Sequence, residues 1–307
     1  MRILVPVSFS PQSDMALKQA KSLARRSNAM LTCLYVIEKP GFISGLVMTS
    51  ELERKIRREA EIRLSSKVNE IIPESEDVTY EVIITSGKVY RKILEKATEF
   101  KAKMIIMGTS DTSDQNTKHI GSNAARVISR SPIPVITTGR ESPTSMKEIL
   151  LPLDLTDSVS IKIAQTLTMA ELLNAGVMVC TVLDHSMKDL RQAAKKRLDL
   201  IVKILADYEI RSKAAILETE RNISGEILKY ALDTNSDLIV MMTQEECNMT
   251  EMFIGSTARE VIRMSGIPVM SITPDIHTNL YPYRALFGEV NNPLSRKDVA
   301  GLLINHS

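Results

Sequence analysis

Short runs of apolar residues alternate along the chain with longer segments in which apolar positions recur at helical spacing. In the first half, the apolar runs are Ile3–Val7, Leu31–Ile37, Tyr80–Thr85, Met104–Met107 and Val135–Thr137. The helical segments lie between them, near residues 13–28, 50–72, 88–100 and 121–130. Several runs are apolar throughout, which is typical of strands buried on both faces of a parallel sheet. The pattern predicts an α/β fold with a doubly wound parallel sheet.

The longest helical segment, residues 50–72, combines an apolar stripe with many charged residues. The stripe consists of Leu52, Ile56, Ile62, Leu64, Val68, Ile71 and Ile72. We interpret the charges between them as the solvated face of an amphipathic helix, and not as a nucleic-acid-binding patch.

The same order of segments occurs twice in the chain. "KMIIMGTS" at 103–110 corresponds to "DLIVMMTQ" at 237–244, and "IGSNAARVISRSPIPVITT" at 120–138 corresponds to "IGSTAREVIRMSGIPVMSI" at 254–272. This duplication predicts two domains, residues 1–140 and 147–275, followed by a tail at 276–307. The polar segment 139–148 is predicted to be the linker between the domains.

The composition is that of an ordinary globular protein, with 44% hydrophobic and 25% charged residues. Residues 1–146 contain 22 Lys and Arg against 16 Asp and Glu, whereas residues 147–307 contain 17 against 21. An anionic ligand should therefore favour the first half, although the imbalance does not indicate nucleic-acid binding. No apolar run is long enough to span a membrane and the N-terminus lacks a signal-peptide pattern, so we expect a cytoplasmic location.

Side chains with reactive chemistry are few and scattered. Cys33, Cys180 and Cys247 lack the spacing of a metal site or a disulfide framework, and we interpret them as reduced core residues. Asp184 and His185 are adjacent, but neighbouring residues in a strand point to opposite faces. No nucleophile with a base and an orienting group can be identified, so the sequence predicts no catalytic residues. We expect a binding protein with, at most, slow incidental ATP hydrolysis.

The segment "MGTSDTSDQNTKHIGSN" at 107–123 connects a predicted strand to a predicted helix. Gly108 and Gly121 would let the backbone approach an anion and direct N–H groups at it from the helix start. The alternative is an ordinary helix N-terminus with a capping hydroxyl at Ser122. Asp111 and Asp114, within the same loop, would oppose a phosphate group.

Two α/β repeats, each with a glycine-containing loop and then "IPV", resemble a tandem universal stress protein over about residues 1–274. The resemblance implies two Rossmann-like domains of the adenine nucleotide alpha hydrolase-like type. It also implies a regulatory role in the stress response and, in one branch of the family, binding of ATP, here with Mg²⁺, at the carboxyl ends of the strands. A second branch of the family does not bind nucleotide.

The residues of the family motif are incomplete in both repeats. In the first repeat the motif falls on Gly108, Asp111, Gly121 and Ser122. Asp111 thus replaces a glycine, and Ser8 replaces the acid expected after the first strand. In the second repeat the motif falls on Met242, Glu245, Gly255 and Ser256, while the acid is kept as Asp154.

The resemblance implies specific roles for residues of the first repeat. Pro6, Val7 and Ser8 would face the base and ribose, Val36 would line the adenine pocket, Met107 and Gly108 would form its floor, and Gly121, Ser122 and Asn123 would bind phosphate. The equivalents in the second repeat are Asp154, Val182, Gly255, Ser256 and Thr257. Because residues 242–254 contain three glutamates and no Lys or Arg, we expect no triphosphate there and favour the first repeat.

The incomplete motifs leave open a scaffold without nucleotide, which acts through protein–protein contacts or self-association. The two halves are expected to pack as an intrachain pseudo-dimer through Val135–Thr137 and Val269–Ile272. In the tail, Tyr281, Tyr283 and Phe287 form a local excess of aromatic residues. They would pack on the chain's own fold or dock a second copy or another protein. Residues 41–48 would form a packed connection or a lid over the site.

Overall fold

The structure is a computed structural model, which describes residues 1–38, 50–109, 119–139, 142–154, 160–184, 190–243 and 254–273. It divides into two compact units, Met1–Thr144 and Ser145–Ser307. In each unit, helices pack on a parallel sheet of five strands. The predicted fold class, two doubly wound α/β units in tandem, is confirmed. The predicted lid and the aromatic tail lie outside the described residues.

The first unit alternates strictly between strand and helix. Its elements are β1 (Arg2–Pro6), α1 (Pro11–Ser27), β2 (Met30–Ile37), α2 (Ser50–Ile71), β3 (Tyr80–Ser86), α3 (Val89–Glu99), β4 (Met104–Gly108), α4 (Ser122–Arg130) and β5 (Val135–Thr138). The strands lie in the order β3-β2-β1-β4-β5 and all neighbouring pairs are parallel. Right-handed crossovers then place α1 and α2 on one face of the sheet and α3 and α4 on the other.

The second unit repeats this topology. Its elements are β6 (Glu148–Pro152), α5 (Ser160–Leu173), β7 (Gly176–Asp184), α6 (Arg191–Asp207), β8 (Ser212–Thr219), α7 (Ile223–Asp233), β9 (Leu238–Met242), α8 (Ser256–Met264) and β10 (Val269–Ile272). Its strand order is β10-β9-β6-β7-β8, again parallel throughout. In the described ranges of both units, no helix combines the length and the apolar character needed to cross a membrane.

Local sequence explains where α1 begins and ends. The Ser10 hydroxyl accepts a hydrogen bond from the Ser13 N–H at 3.2 Å, and Pro11 occupies the first turn. The helix ends at Asn28, which adopts the left-handed conformation (φ 49°) common at this position. Between these caps, Leu17 and Leu23 are buried against the sheet.

Helix α2 buries a narrower stripe than the sequence predicts. Ala60, Leu64 and Val68 face the core, whereas Ile62 is 65% exposed and Leu52 is 39% exposed. The prediction was wrong for these two residues because α2 covers the sheet with one side only, and an apolar residue off that side stays in solvent.

The segment between the two units is attached to unit 1. The Gly139 N–H donates to the Ser142 hydroxyl at 2.9 Å, and the Gln19 side chain donates to the carbonyl of Pro143. The Ser22 hydroxyl donates to the carbonyl of Thr144 at 3.1 Å. The first part of the predicted linker therefore packs along α1.

A single carboxylate organises the start of β6 in unit 2. One oxygen of Asp237 accepts hydrogen bonds from the N–H groups of Lys147 and Glu148, both at 2.9 Å. The Asp237 N–H in turn donates to the carbonyl of Glu148 at 2.9 Å. The equivalent residue in unit 1 is Lys103, which makes the backbone contact, to Arg2, but has no carboxylate.

Replacing Asp237 by Ala should lower the free energy of unfolding of unit 2 by about 1–3 kcal/mol, because two N–H groups lose a charged acceptor. Lys103→Ala is the matched control and should change it by less than about 0.5 kcal/mol. Urea denaturation of the full chain measures both, and equal effects of the two substitutions would contradict this account.

The thiols of Cys33 and Cys180 should be almost unreactive in the folded protein. Both side chains are fully buried, and burial raises the pKa of each thiol to about 12. At pH 9 only roughly one such thiol in a thousand is ionised. Iodoacetamide labelling followed by peptide mass spectrometry should modify both residues at least about a hundredfold more slowly in native protein than in urea. Comparable native and denatured rates would show that the strands open readily.

Candidate functional site

The predicted site residues of unit 1 lie at one edge of its sheet. Strands β2, β1 and β4 are neighbours, with Pro6 paired to Leu34 and Leu4 paired to Ile105. Their carboxyl ends therefore meet at the same edge. The chain turns to opposite sides of the sheet after β1 and after β4, and ligands of open α/β sheets bind at such a switch point.

A set of serine hydrogen bonds shapes the loop after β1. The Ser8 N–H donates to the Ser13 hydroxyl at 3.0 Å, and the Ser8 and Ser10 hydroxyl groups lie 3.1 Å apart. Val7 is buried, and its N–H donates to the carbonyl of Leu34 at 2.8 Å. Ser8 itself is exposed. It therefore presents a hydroxyl, and no charge, where the family motif has an acid.

Phe9, in the same loop, holds an unfavourable backbone conformation that sequence reasoning missed. Its φ angle is 61°, in the left-handed region that bulky residues rarely adopt. The ring lies 4.9 Å from the ring of Tyr35, and the Arg63 guanidinium lies 4.2 Å over it. These contacts from β2 and α2 offset the strain and fix the path of the loop.

Helix α4 begins beside the end of β4 because one hydrogen bond joins them. The Gly121 N–H donates to the carbonyl of Thr109 at 2.8 Å. Gly121 is the N-cap residue, with φ −58° and ψ 148°, and within the described ranges no side chain caps the helix. The predicted capping role of the Ser122 hydroxyl is therefore wrong, because Ser122 is already the first helical residue.

Three backbone N–H groups follow Gly121 at the start of α4. The Ala125 N–H donates to the carbonyl of Gly121 at 2.9 Å. In the described part of the chain, the N–H groups of Ser122, Asn123 and Ala124 have no acceptor. The N–H of Gly121, in contrast, is engaged with Thr109. The arrangement can bind an anion through Ser122 and Asn123, but not through the N–H of Gly121.

Gly108 is required for the packing of α1 against β4, independently of any role in ligand binding. A Cβ atom on it would lie 2.8 Å from Cβ of Gln12 and 2.9 Å from the Gln12 carbonyl carbon. The first turn of α1 thus approaches β4 more closely than any side chain would allow. Val36 and Met107, predicted as pocket wall and floor, are 9% and 6% exposed.

Gln12 also adds a polar atom that sequence reasoning missed. Its Oε1 atom is buried, and no described residue donates a hydrogen bond to it. A ligand hydroxyl or amino group would satisfy this acceptor, so it fits a sugar or base better than a phosphate. Among the described residues, no group of three His, Cys, Asp or Glu side chains could hold a metal ion. Asp111 and Asp114 lie outside the described residues.

Unit 2 repeats the helix start but not its surroundings. The Gly255 N–H donates to the carbonyl of Thr243 at 2.7 Å, and α8 begins at Ser256. Asp154, Val182 and Thr257 are half-buried. Met242 occupies the position of Gly108, with its side chain buried.

A separate cleft of about 570 Å³ lies in unit 2, between α6 and the edge strand β8. Arg191, Lys195, Leu198 and Ile216 are among its lining residues. None of the predicted site residues of unit 2 lines this cleft, so it is a different feature from the strand-end site.

A profile of the universal stress protein family matches residues 1–138 and again residues 146–272. The chain belongs to the universal stress protein family. The two matches together cover most of its length, so it carries two copies of the family domain.

Relatives of one domain in length align with about half of the chain. Universal stress protein MJ0577 from Methanocaldococcus jannaschii is 26% identical over 155 residues, which cover 46% of this chain and 96% of the relative. Among solved structures, a universal stress protein from Archaeoglobus fulgidus covers 89% of this chain and 96% of its own, with 18% identity and a TM-score of 0.68. This likeness shows the fold alone.

A universal stress protein from Archaeoglobus fulgidus has also been solved in complex with dAMP. It is 20% identical to this chain, covers 42% of it and 98% of its own length, and has a TM-score of 0.35. At that similarity, its ligand says nothing about this chain.

Replacing Gly108 by Ala should destabilise unit 1 by about 1–3 kcal/mol, because the new Cβ atom would overlap the backbone of α1. Gly266→Ala is the matched control, since a Cβ atom there meets nothing within 4 Å. Thermal or urea unfolding measures both. An unchanged stability of the Gly108 variant would show that α1 and β4 can separate at no cost.

Proposed function

We propose that unit 1 of this universal stress protein binds an adenine nucleotide, such as ATP with Mg²⁺, at the carboxyl ends of β1, β2 and β4. The observation that carries the proposal is the row of N–H groups at Ser122, Asn123 and Ala124, which have no acceptor among the described residues. They would hold the phosphate groups at the start of α4. Ser8, Val36 and the buried acceptor of Gln12 would lie toward the base and ribose.

The charges favour unit 1 over unit 2. Residues 1–146 carry a formal excess of six positive charges (22 against 16), whereas residues 147–307 carry an excess of four negative ones (17 against 21). A helix N-terminus contributes only about 0.3–1 kcal/mol toward an exposed anion. The triphosphate therefore depends on Mg²⁺ to reduce its charge beside the acidic loop residues. Nucleotide occupancy would be the signal that partners of this protein respond to during stress.

A second function, a scaffold without nucleotide, is favoured by one specific observation. The hydrogen bond at the start of α4 recurs at α8 between Gly255 and Thr243, in the unit whose loop contains three glutamates. The backbone hydrogen bond at the helix start therefore forms as part of the fold, and it does not depend on a bound anion. In this scheme both helix starts are structural, and the protein acts through protein–protein contacts.

The Gly121→Asp substitution separates the two functions. Its backbone angles suit any residue, and Asp is a favourable N-cap, so the variant should fold at least as stably as the parent chain. The added carboxylate would occupy the N–H groups and repel phosphate. Thermal shift and calorimetry with ATP, ADP and AMP, each with and without Mg²⁺, should show binding by the parent chain and at least a tenfold loss in the variant.

Gly255→Asp is the matched control, because it makes the same change at the start of α8. It should keep the nucleotide affinity of the parent chain if unit 1 is the site. No shift of the parent chain at millimolar nucleotide would support the scaffold and refute the nucleotide proposal. Equal losses in both variants would place nucleotide in both units.

A further inference from the structure

Three arginines surround one tyrosine on the α3–α4 face of unit 1. The guanidinium carbons of Arg91, Arg126 and Arg130 lie 5.9, 5.1 and 5.6 Å from the centroid of the Tyr90 ring. The Arg91 Nε–H also donates to the Tyr90 hydroxyl at 3.0 Å. Any two of the guanidinium carbons therefore lie at most 11.5 Å apart, which is the sum of the two longest distances to the shared ring centroid, 5.9 and 5.6 Å. We refer to these three residues as the arginine cluster.

The arginine cluster has no counter-charge within the described residues. None of its members forms an ion pair there, although all three are exposed and α3 contains two glutamates, Glu95 and Glu99. The acids of α3 are used elsewhere, since Glu95 pairs with Lys92 and Glu99 with Lys96. The hydrogen bond from Arg91 and the three positive charges lower the pKa of the Tyr90 hydroxyl, which agrees with a locally positive field.

Neither packing nor helix capping explains the concentration of charge. Arg130 lies in the last turn of α4, where the helix dipole favours a cation. Arg126 and Arg91 are not in a last turn, and each could stack on an aromatic ring without the other two. All three guanidinium groups lie within 6 Å of one ring centroid, so their charges add to a local positive potential. An anion bound to them would offset that potential.

The second repeat lacks the whole cluster. By the alignment of the repeats, the positions of Tyr90 and Arg91 are taken by Ser224 and Gly225, and those of Arg126 and Arg130 by Glu260 and Met264. Glu260 forms an ion pair with Arg263 of the same helix. The cluster is therefore not a requirement of the fold, because the same two helices pack without it.

The geometry selects the kind of anion. Arg91 donates one of its five N–H groups to the Tyr90 hydroxyl, so the cluster keeps most of its N–H donors for an anion. A carboxylate has one negative charge and is satisfied by one arginine, whereas a phosphate monoester has a charge of about −1.5 to −2 and three acceptor oxygens. Three guanidinium groups gathered around one ring match the charge of the phosphate monoester better than that of a carboxylate. The ion pairs of Lys92 with Glu95 and of Lys96 with Glu99 neutralise the rest of α3. A nucleic-acid backbone would therefore find few further cations along this helix.

We propose that the arginine cluster is a docking site for a phosphorylated segment of a partner protein. The arginine cluster consists of side chains and does not include the backbone N–H groups that would hold nucleotide, and the proposal does not depend on nucleotide binding. Because the guanidinium groups are on an exposed helix face, residues flanking the phosphorylated side chain can add contacts along α3 and α4, which a free phosphate cannot.

Fluorescence anisotropy with the full-length chain tests the proposal. The probe is a fluorescein-labelled heptapeptide library with a fixed central phosphoserine and random flanking residues, in 0.15 M NaCl, beside the same library with serine. The phosphorylated library should bind and the other should bind at least tenfold more weakly. Arg126→Gln with Arg130→Gln should lower the affinity for the phosphorylated library at least tenfold, and Arg126→Lys with Arg130→Lys should lower it less.

Arg259→Gln with Arg263→Gln is the matched control, because it removes the same charge from the corresponding helix α8. It should stay within about twofold of the parent chain, and circular dichroism verifies that all variants are folded. The proposal is overturned if neither library binds at millimolar concentration, if both bind equally, or if the α8 control loses as much affinity. Tighter binding of pyrophosphate or of a thymidine decamer than of the phosphorylated library also overturns it, in favour of a free oligophosphate or a nucleic acid.

Discussion

One backbone hydrogen bond, from the Gly121 N–H to the carbonyl of Thr109, decides where the candidate site can form. It fixes the first turn of α4 against the end of β4 without any side chain. The residues between its two ends can therefore change in sequence while the helix start stays in place. Thr243 and Gly255 form the same bond in unit 2, which is why two loops of different charge lead into the same geometry.

The two units differ in the residues around that shared feature. Unit 1 keeps Gly108 and lets α1 approach β4 closely, whereas unit 2 has Met242 at the equivalent position. Unit 1 has the positive surface around Tyr90, and unit 2 has the Asp237 carboxylate that holds the start of β6. Because each change touches the surface or one strand end, the shared sheet topology survives in both.

The fold follows from the sequence because its signals are local. Continuous apolar runs, helical periodicity and the repeated order of segments are all visible without coordinates, and the predicted elements of unit 1 agree with the structure to within two residues at each end. The exposure of Ile62 was not predictable from periodicity alone, since it depends on how far α2 extends over the sheet.

The candidate site was less predictable, because its details depend on residues distant in sequence. A glycine at position 108 looks like part of an anion loop until α1 is seen against it. The left-handed Phe9 has no signal in the sequence, and only Tyr35 and Arg63, from two other elements, explain how it is held. The arginine cluster likewise unites residues that lie more than thirty positions apart, from Arg91 to Arg126 and Arg130.

Residues 142–144 are attached to α1 by hydrogen bonds, so the folded unit 1 extends to residue 144. The first family match ends at residue 138, yet the side chains of Gln19 and Ser22 donate to the carbonyl groups of Pro143 and Thr144. A chain cut at residue 138 would expose the side of α1 on which Gln19 is wholly buried. Evolutionary and energetic boundaries thus differ by six residues (138 to 144), and a fragment chosen by similarity alone would lack part of its own surface.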